Sequence, residues 1–371
     1  MATSSSGNAA LPDGLRVNGY TIAKKISSGG FSMVYLAYDE DNQAVAIKEY
    51  LPATLATRAK GELSPAIKPE HIGTYRAGLR CFFEEGRVLA RIFHPNIVRV
   101  INFFRENDTV YMVMNYEVGQ SLQELVLKFR DEGSQEVLSE HFIRQTFAQL
   151  MNGLREVHLS KMLHLDLKPA NIYMRRDGSP ILLDFGAART TLEEDTSKLF
   201  PMYTPGFAPL ELYRKKDIGP WTDIYSLGAC MFSCMAGIPP QAADARLKED
   251  KMDAAYKALR GIYSDELISL VRWCMKLDSA ARPQSVHQLQ KAMPIETAAE
   301  VPAPNVSTRL MAQLSHFLRG GKRSKGIADI REQHEAAFRE RRKQRDPYAS
   351  QHASQPDSTI KPISKSVKKS G

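Results

Sequence analysis

The pattern of apolar residues changes character once along this 371-residue chain, close to Gly119. Before this point, short β-prone runs alternate with Gly, Asp and Asn turns, which is typical of an antiparallel meander. These runs cover residues 20–27, 33–38, 44–50, 97–104 and 110–115. Residues 74–92 carry apolar side chains at helical spacing and end at a His-Pro-Asn triplet. The first part of the chain therefore predicts a small sheet with one main helix.

The chain after Gly119 is mainly helical in pattern. Apolar residues from Phe142 to Val157 fall on one stripe of a long helix, and Ser139 is a suitable N-cap for it. Residues 224–235 are apolar nearly all round, which predicts a buried central helix. A strand-rich block followed by a helix-rich block predicts the α+β class, with two lobes joined near residues 115–119.

Both ends of the chain differ in composition from its centre. Residues 1–18 are small and polar and include a Pro-Asp-Gly turn, so we predict that they are disordered. A stretch rich in Pro and Ala at 295–308 predicts a linker, so the folded body should end near residue 293. In the remaining tail, 309–317 and 327–345 are candidate short basic helices within a largely disordered segment.

The net charge of +8 is concentrated in the tail. Residues 294–371 hold 15 Lys and Arg against 8 Asp and Glu, and the rest of the chain is close to neutral. The charge therefore gives no reason to predict that the folded body binds a specific nucleic acid. The tail is either a solvated flexible segment or a docking segment for an acidic partner or an anionic membrane surface.

Two further observations bear on the cellular compartment. The sequence contains no apolar run of about 18 residues, and its N-terminus lacks the basic-then-apolar order of a signal peptide. Four cysteines are present, without the CxxC spacing of a metal site. We therefore expect a cytoplasmic protein with reduced thiols, in which Cys230 and Cys234 belong to the core.

Residues 163–186, LHLDLKPANIYMRRDGSPILLDFG, carry the chemistry. They contain Asp166, Lys168, Asn171 and Asp184 in the order that phosphoryl transfer from a metal nucleotide requires. In such transfer, a protein must orient a hydroxyl, neutralise charge on the phosphate and hold magnesium. The HxDLKxxN and DFG patterns occur together with the strand-like run ILLD between them, which makes a chance match improbable.

This segment resembles the catalytic and metal-binding loops of eukaryotic-type (Hanks-type) serine/threonine protein kinases. The sequence around the other motifs is similar to that of the bacterial branch of this family. The resemblance covers about residues 19–293. It implies a bilobal protein-kinase-like fold, with an N-lobe at 19–114, a hinge at 115–119 and a C-lobe at 120–293. It also implies transfer of the γ-phosphate of ATP to protein hydroxyls, including the kinase's own, with Mg²⁺ as cofactor and Mn²⁺ as an alternative.

The resemblance assigns roles to individual residues. Asp166 and Lys168 would be catalytic, and Asn171 and Asp184 would hold the metal. Lys48 would meet the α- and β-phosphates, with Glu85 as its ion-pair partner and Glu84 as the neighbouring alternative. The full predicted nucleotide site comprises Ile26, Gly29, Gly30, Phe31, Val34, Ala46, Lys48, Glu85, Met114, Asn115, Tyr116 and Glu117.

Two regions of the N-lobe depart from the family pattern. In the turn at 26–34, Ser27 and Ser32 stand where the first and third glycines of a phosphate-covering loop usually occur, and an ordinary hairpin is the alternative interpretation. Residues 51–78 form a longer connection than is usual after the lysine strand, and their Pro and Gly content predicts a loop. This connection is either a surface insertion or a regulatory or docking element.

Leu165 is the third departure. The family usually has Arg here, and that Arg reads a phosphate on the activation segment, which in this chain covers residues 187–211. We therefore expect activity that does not depend on a phosphate at Thr190, Thr191, Thr196 or Ser197. The resemblance also pairs Glu211 with Arg282, brings Thr204 to Asp166 and Lys168, and gives Asp223 the task of bracing the catalytic loop.

An active serine/threonine kinase with protein substrates is the main hypothesis. A pseudokinase scaffold and a kinase-fold phosphotransferase for small molecules are the alternatives. The platform-like segment at 204–211 disfavours the small-molecule enzyme. The scaffold is disfavoured by the joint presence of five residues, Lys48, Glu85, Asp166, Asn171 and Asp184. The sequence leaves the physiological substrate, the activating signal and the oligomeric state open.

Overall fold

The computed structural model describes residues 8–131, 138–185 and 204–293. The strands are β1 (Arg16–Val17), β2 (Tyr20–Ser28), β3 (Ser32–Tyr38), β4 (Ala44–Tyr50), β5 (Ala56–Thr57), β6 (Ala66–Ile67), β7 (Val100–Glu106), β8 (Thr109–Asn115), β9 (Gly119–Ser121), β10 (Ile172–Arg175) and β11 (Pro180–Leu182). The helices are α1 (Ile72–Leu89), α2 (Leu122–Asp131), α3 (Glu140–Leu159), α4 (Leu210–Arg214), α5 (Pro220–Ala236), α6 (Ala243–Arg246), α7 (Met252–Ala258), α8 (Asp265–Cys274) and α9 (Val286–Ala292). The predicted linker and tail helices lie outside the described residues, and no helix of the described part is long and apolar enough to cross a membrane.

The predicted α+β architecture is confirmed. A six-stranded antiparallel sheet in the order β1-β2-β3-β4-β8-β7 forms the N-lobe. Because side chains alternate along a strand, β4 directs Lys48 to one face of this sheet and Glu49 to the other. Lys48 pairs in register with Val34 on β3 and with Met112 on β8. These residues therefore share the face that carries the candidate site.

Helix α1 packs on the Lys48 face of the sheet. The rings of Tyr50 and Phe82 lie 5.7 Å apart, and those of Phe83 and Phe103 meet edge to face at 4.7 Å. A Cβ at Gly78 would overlap the Tyr50 hydroxyl, so this close approach requires glycine. The helix begins and ends slightly before the predicted 74–92, because Ile92 belongs to a buried turn that follows it.

The opposite face of the sheet is covered by two segments that we predicted to be disordered or loop. The disorder predicted for residues 1–18 is wrong for residues 8–18, where Leu11 is buried and Val17 lies in β1. The connection at 51–78 is more structured than predicted, since it contains the β5–β6 hairpin and the first part of α1. Leu51 and Leu55 are buried in the hydrophobic core with residues of the sheet, which explains why this connection is structured. The polar residues around them obscure this signal in the sequence.

The C-lobe follows the sequence prediction closely. Ser139 caps α3 by accepting the N–H of Phe142. Helix α5 is buried from Thr222 to Ala236, and its Cys230 and Cys234 belong to the core as predicted. Gly228 lets α8 approach, because a Cβ there would collide with Cys274.

A short connection leads from β8 of the N-lobe sheet to β9. Strand β8 ends at Asn115, and β9 pairs with β10 of the C-lobe from Gly119 onward. A Cβ at Gly119 would overlap the carbonyl oxygen of Met174, so this crossing also requires glycine. Residue Ile97, predicted to start a strand, instead forms an isolated bridge to Leu182 before β7 begins.

Candidate active site

The segment 163–171, which we call the catalytic loop, gathers three of the predicted residues. The Lys168 ammonium lies 2.9 Å from Oδ2 of Asp166. The Asn171 amide donates to the same Oδ2 at 3.0 Å and to the Asp166 main-chain oxygen at 2.9 Å. With two donors on Oδ2, the Asp166 carboxylate is held in one orientation.

Asp223, at the start of α5, holds the catalytic loop from below. Its carboxylate accepts the N–H groups of His164 and Leu165 at 2.8 Å each, and the His158 ring lies 2.8 Å from it. Burial would raise the pKa of Asp223, but the His158 contact, with smaller contributions from the ring and the main-chain N–H of His164, lowers it below its usual value. This bracing role agrees with the sequence prediction.

Leu165 has a left-handed backbone, with φ of 60°. Such a conformation costs a leucine about 1–2 kcal/mol, and the bond from its N–H to Asp223 helps to offset this cost. The side chain is buried in a small apolar cluster with Ala208 and Leu212. Position 165 therefore makes an apolar contact with the end of the activation segment and the start of α4.

Asp184 faces Lys48 across the cleft. The Lys48 ammonium lies 3.3 Å from Oδ1 of Asp184, whose side chain keeps 45% of its exposure. Burial by itself would raise the pKa of Asp184, but Lys48, with smaller contributions from Lys168 and His164, lowers it below its usual value. Asp184 also has φ of 52°, so the backbone turns sharply at this carboxylate.

His164 links the two loops that carry Asp166 and Asp184. Its ring is fully buried, lies 3.0 Å from the carbonyl oxygen of Leu183 through Nε2, and packs on Phe185 at 4.3 Å. Burial lowers the pKa of His164, although the carboxylates of Asp223 and Asp166 act in the opposite direction. The ring is therefore neutral at pH 7, with its Nε2 proton directed to Leu183.

The structure distinguishes between Glu85 and Glu84, the two candidates for the ion-pair partner of Lys48. Glu85 is buried on the inner side of α1. Glu84 is half-exposed and forms an ion pair with Arg87 one turn further along the helix. The burial of Glu85 favours it as the residue that faces the cleft.

Residues 29–31, which we call the phosphate loop, form the tight connection between β2 and β3. The N–H of Gly29 donates to the carbonyl oxygen of Ser32 at 2.8 Å and closes the turn. The two serines in place of the usual glycines lie on the flanking strands, Ser27 in β2 and Ser32 in β3. The left-handed backbone that would demand glycine does not occur at either serine.

The remaining predicted nucleotide residues lie on the cleft face of the sheet or at its end. Ala46 is paired in register with both Leu36 and Met114, and Val34 is the neighbour of Lys48. Ile26 is half-buried near the end of β2. Asn115, the last residue of β8, and Tyr116 are exposed, whereas the Glu117 carboxylate receives two bonds from Arg175 of the C-lobe. The main chain at 115–117 therefore forms an edge at the mouth of the cleft.

A buried ion pair stabilises the end of the activation segment. Arg282 donates to both oxygens of Glu211, and its other N–H groups reach the carbonyls of Lys276, Trp221 and Leu277. Both side chains of the pair are almost fully buried. The predicted pairing of Glu211 with Arg282 is confirmed, and it fixes the start of α4 on the C-lobe.

Thr204 completes the surroundings of Asp166. Its hydroxyl accepts a bond from the Lys168 ammonium at 3.4 Å. A small pocket beside it is lined by residues of the catalytic loop, by Phe207 and Ala208, and by Ser226 of α5. The predicted phosphorylation positions between 187 and 203 lie outside the described residues.

Comparison with known families agrees with this geometry. The model of the protein kinase domain matches residues 20–293. The chain belongs to the protein kinase family.

Relatives of this kinase include bacterial serine/threonine kinases. Serine/threonine-protein kinase B of Synechocystis is 27% identical over 78% of this chain and 48% of its own length, so this chain spans about half of that relative. The solved apo form of PpkA-294 is 35% identical, with a TM-score of 0.68, over 77% of this chain and 99% of that one. The PknI kinase domain of Mycobacterium tuberculosis, 22% identical over 76% of this chain and 98% of that chain, has a TM-score of 0.56 and shares the fold.

The donor set of this kinase fits a magnesium nucleotide. Mg²⁺ prefers a few protein oxygens together with phosphate and water oxygens. The Asp184 carboxylate and the side-chain oxygen of Asn171 would supply the protein ligands, and Asn171 already lies 3.5 Å from the main-chain oxygen of Asp184. When bound, the ion would neutralise charge on the phosphates, and Lys48 would add a second positive charge at the same place.

Sequence reasoning missed two groups of this kinase. The first is His158, which supports Asp223 from α3, and its helical position gave no signal of this contact. The second is a buried network centred on Arg58 and Glu49, whose side chains are both fully buried. A glutamate inside an apolar strand is a signal for a partner, because an unpaired buried carboxylate would be costly.

Proposed function

We propose that this chain is an active serine/threonine protein kinase that transfers the γ-phosphate of Mg-ATP to hydroxyl groups of protein substrates and of its own chain. The observation that carries the proposal is the joint arrangement of Asp166, Lys168 and Asn171 within one hydrogen-bonded group, with the Lys48–Asp184 pair facing it. A positioned carboxylate, an ammonium and a metal-binding pair are the groups that phosphoryl transfer needs.

In this proposal, Asp166 orients the substrate hydroxyl and accepts its proton. Lys168 neutralises the negative charge that develops on the transferred phosphate. Asn171 and Asp184 hold the metal, and Lys48 contacts the inner phosphates. The bond between Lys168 and Thr204 supports a serine or threonine hydroxyl as acceptor, since it links the catalytic group to the substrate side of the cleft.

Specificity for proteins rests on the segment at 204–214. The Glu211–Arg282 pair and the apolar contact of Leu165 with Leu212 hold this segment beside the catalytic loop. A rigid surface next to the acceptor site suits a peptide better than a small metabolite, which would need an enclosed pocket.

The test is transfer of labelled phosphate from ATP, with Mg²⁺ or Mn²⁺, to the chain itself and to a basic protein substrate. The proposal predicts label on serine or threonine in the wild type and its near-complete loss in Lys48→Met. Nucleotide binding without transfer would favour the scaffold alternative. Label on a small hydroxyl compound but not on protein would favour the small-molecule phosphotransferase.

A further inference from the structure

The segment that follows β4 contacts the phosphate loop through main-chain hydrogen bonds. The N–H of Leu51 donates to the carbonyl oxygen of Phe31 at 2.9 Å. The N–H of Ala53 donates to the carbonyl oxygen of Gly30, also at 2.9 Å. Two consecutive peptide carbonyls at the tip of the loop are thus held by residues 51–53.

These bonds set the direction of the amide donors in the same peptide units. The described residues contain no cis peptide bond, and in a planar trans peptide the N–H points opposite to the C=O. The N–H groups of Phe31 and Ser32 therefore point away from residues 51–53. A phosphate is attracted by N–H groups and repelled by carbonyl oxygens, so engaging the carbonyls elsewhere prepares the tip for an anion.

Residues 51–58, which we call the anchor segment, are themselves held firmly. A β-turn at 52–55 is closed by the N–H of Leu55 on the carbonyl oxygen of Pro52 at 3.0 Å. Beyond the turn, the Arg58 guanidinium donates to both oxygens of Glu49 and, at 2.8 Å, to the Tyr35 hydroxyl. Glu49 lies in β4 and Tyr35 in β3, so the anchor segment is tied to the two strands that lead to Lys48 and to the phosphate loop.

The N-terminal residues reinforce the same anchor. The side-chain oxygen of Asn8 accepts the Arg58 N–H at 2.7 Å, and its amide nitrogen donates to the Ala56 carbonyl oxygen at 3.2 Å. The Ala9 carbonyl oxygen accepts from Nε of Arg58 at 2.9 Å. The anchor segment is therefore held between the sheet and residues 8–9, and it cannot shift without breaking a buried ion pair.

We propose that the anchor segment positions the phosphate loop for nucleotide phosphates, with the Ala53 N–H as the contact that sets the loop tip. This inference rests on the proposed function, because it assumes that the loop covers the phosphates of ATP. The connection at 51–78 then contributes to nucleotide binding. It does so by positioning the loop that contacts the phosphates, and it does not act on the base.

Ala53→Pro isolates this contact. Ala53 is exposed and occupies the second position of the turn at 52–55, where proline is favoured, so the substitution removes the N–H that reaches Gly30 while suiting the turn. Lys60→Pro is the matched control. It places the same residue at the second position of the next turn, 59–62, which is exposed and has Gly61 at φ of 93°.

Isothermal titration of each full-length variant with the Mg²⁺ complex of a non-hydrolysable ATP analogue, and separately with adenosine, tests the proposal. Ala53→Pro should weaken analogue binding about three- to tenfold, the loss expected for one main-chain hydrogen bond, and leave adenosine binding within about twofold. Lys60→Pro should change neither affinity. Unchanged analogue binding in Ala53→Pro, or equal weakening of both ligands, would overturn the proposal.

The same titrations separate this inference from the proposed function. A wild type that binds the analogue but transfers no phosphate to protein would refute the proposed function, and the Ala53→Pro comparison would still decide the positioning role. If the wild-type protein binds the ATP analogue no more tightly than adenosine, the phosphates contribute nothing to its affinity, and the positioning role is refuted.

Discussion

The buried pair of Arg58 and Glu49 gives the most quantitative prediction about stability. Both side chains have 0% exposure. Burial would lower the pKa of Arg58, but the hydrogen bonds and charge of Glu49 raise it above its usual value, so Arg58 is positively charged in the folded chain. We consider the substitution Arg58→Met, which keeps an unbranched apolar stem and removes the guanidinium with its charge and donors.

The structure shows what this substitution leaves behind. The Glu49 carboxylate would keep the hydroxyls of Tyr35 and Tyr111, at 2.8 and 3.0 Å, but would lose its countercharge. The carbonyl oxygens of Ala9 and Leu63 would lose their donor. Breaking a buried ion pair from one side costs about 3–5 kcal/mol, which for a domain of this size corresponds to a lower midpoint by roughly 10 °C.

The assay is thermal unfolding of the full chain, followed by circular dichroism. Arg16→Met is the control, because Arg16 pairs with Glu40 on the exposed surface and should cost at most about 1 kcal/mol. Adding Glu49→Gln to Arg58→Met should recover about 1–3 kcal/mol, since it removes the stranded charge. A loss below about 1 kcal/mol in Arg58→Met, or strict additivity in the double variant, would refute the reasoning.

Two further predictions concern pH and activation. The pKa of His164 is lowered in the folded chain. Below the ordinary histidine pKa of about 6.5, the unfolded state therefore binds a proton that the folded state does not. The free energy of unfolding consequently decreases as the pH falls below about 6.5. In His164→Gln, the loss of stability between pH 7.5 and 5.5, measured by chemical denaturation, should be smaller than in the wild type. The control His287→Gln changes an exposed histidine, and an equal effect of both variants would contradict the assignment. Because Leu165 packs on Ala208 and Leu212 and its own side chain cannot pair with a phosphate, phosphatase-treated enzyme should keep at least about half of its transfer rate; complete loss would contradict this.

The sequence predicts the structure correctly where the residues concerned lie within one strand, helix or loop. The β-prone run at 44–50 predicts a strand that carries Lys48, and the Ser139 cap predicts the start of α3; both are confirmed. The catalytic segment was readable because its residues lie close in sequence, so the hydrogen bonds among Asp166 and its neighbours span short stretches of chain.

Contacts between distant segments were not predictable in the same way. The sequence flags Leu165 as unusual, but its packing on Leu212 depends on how the activation segment returns to the catalytic loop. Residues 8–18 are polar enough to predict disorder, and it is burial of Leu11 against the sheet, together with bonds to Arg58, that orders them. No local pattern states which distant carbonyl or guanidinium will meet such a segment.

The central claim is that Asp166 acts on the substrate hydroxyl in a working phosphotransfer site. The most direct measurement is the rate of labelled phosphate transfer by Asp166→Asn at saturating Mg-ATP, with nucleotide affinity measured in parallel. We predict a loss of at least about 10²-fold in rate, the usual contribution of general acid–base catalysis, with affinity for the nucleotide within about twofold of the wild type. A variant that keeps more than about one third of the wild-type rate would contradict the account.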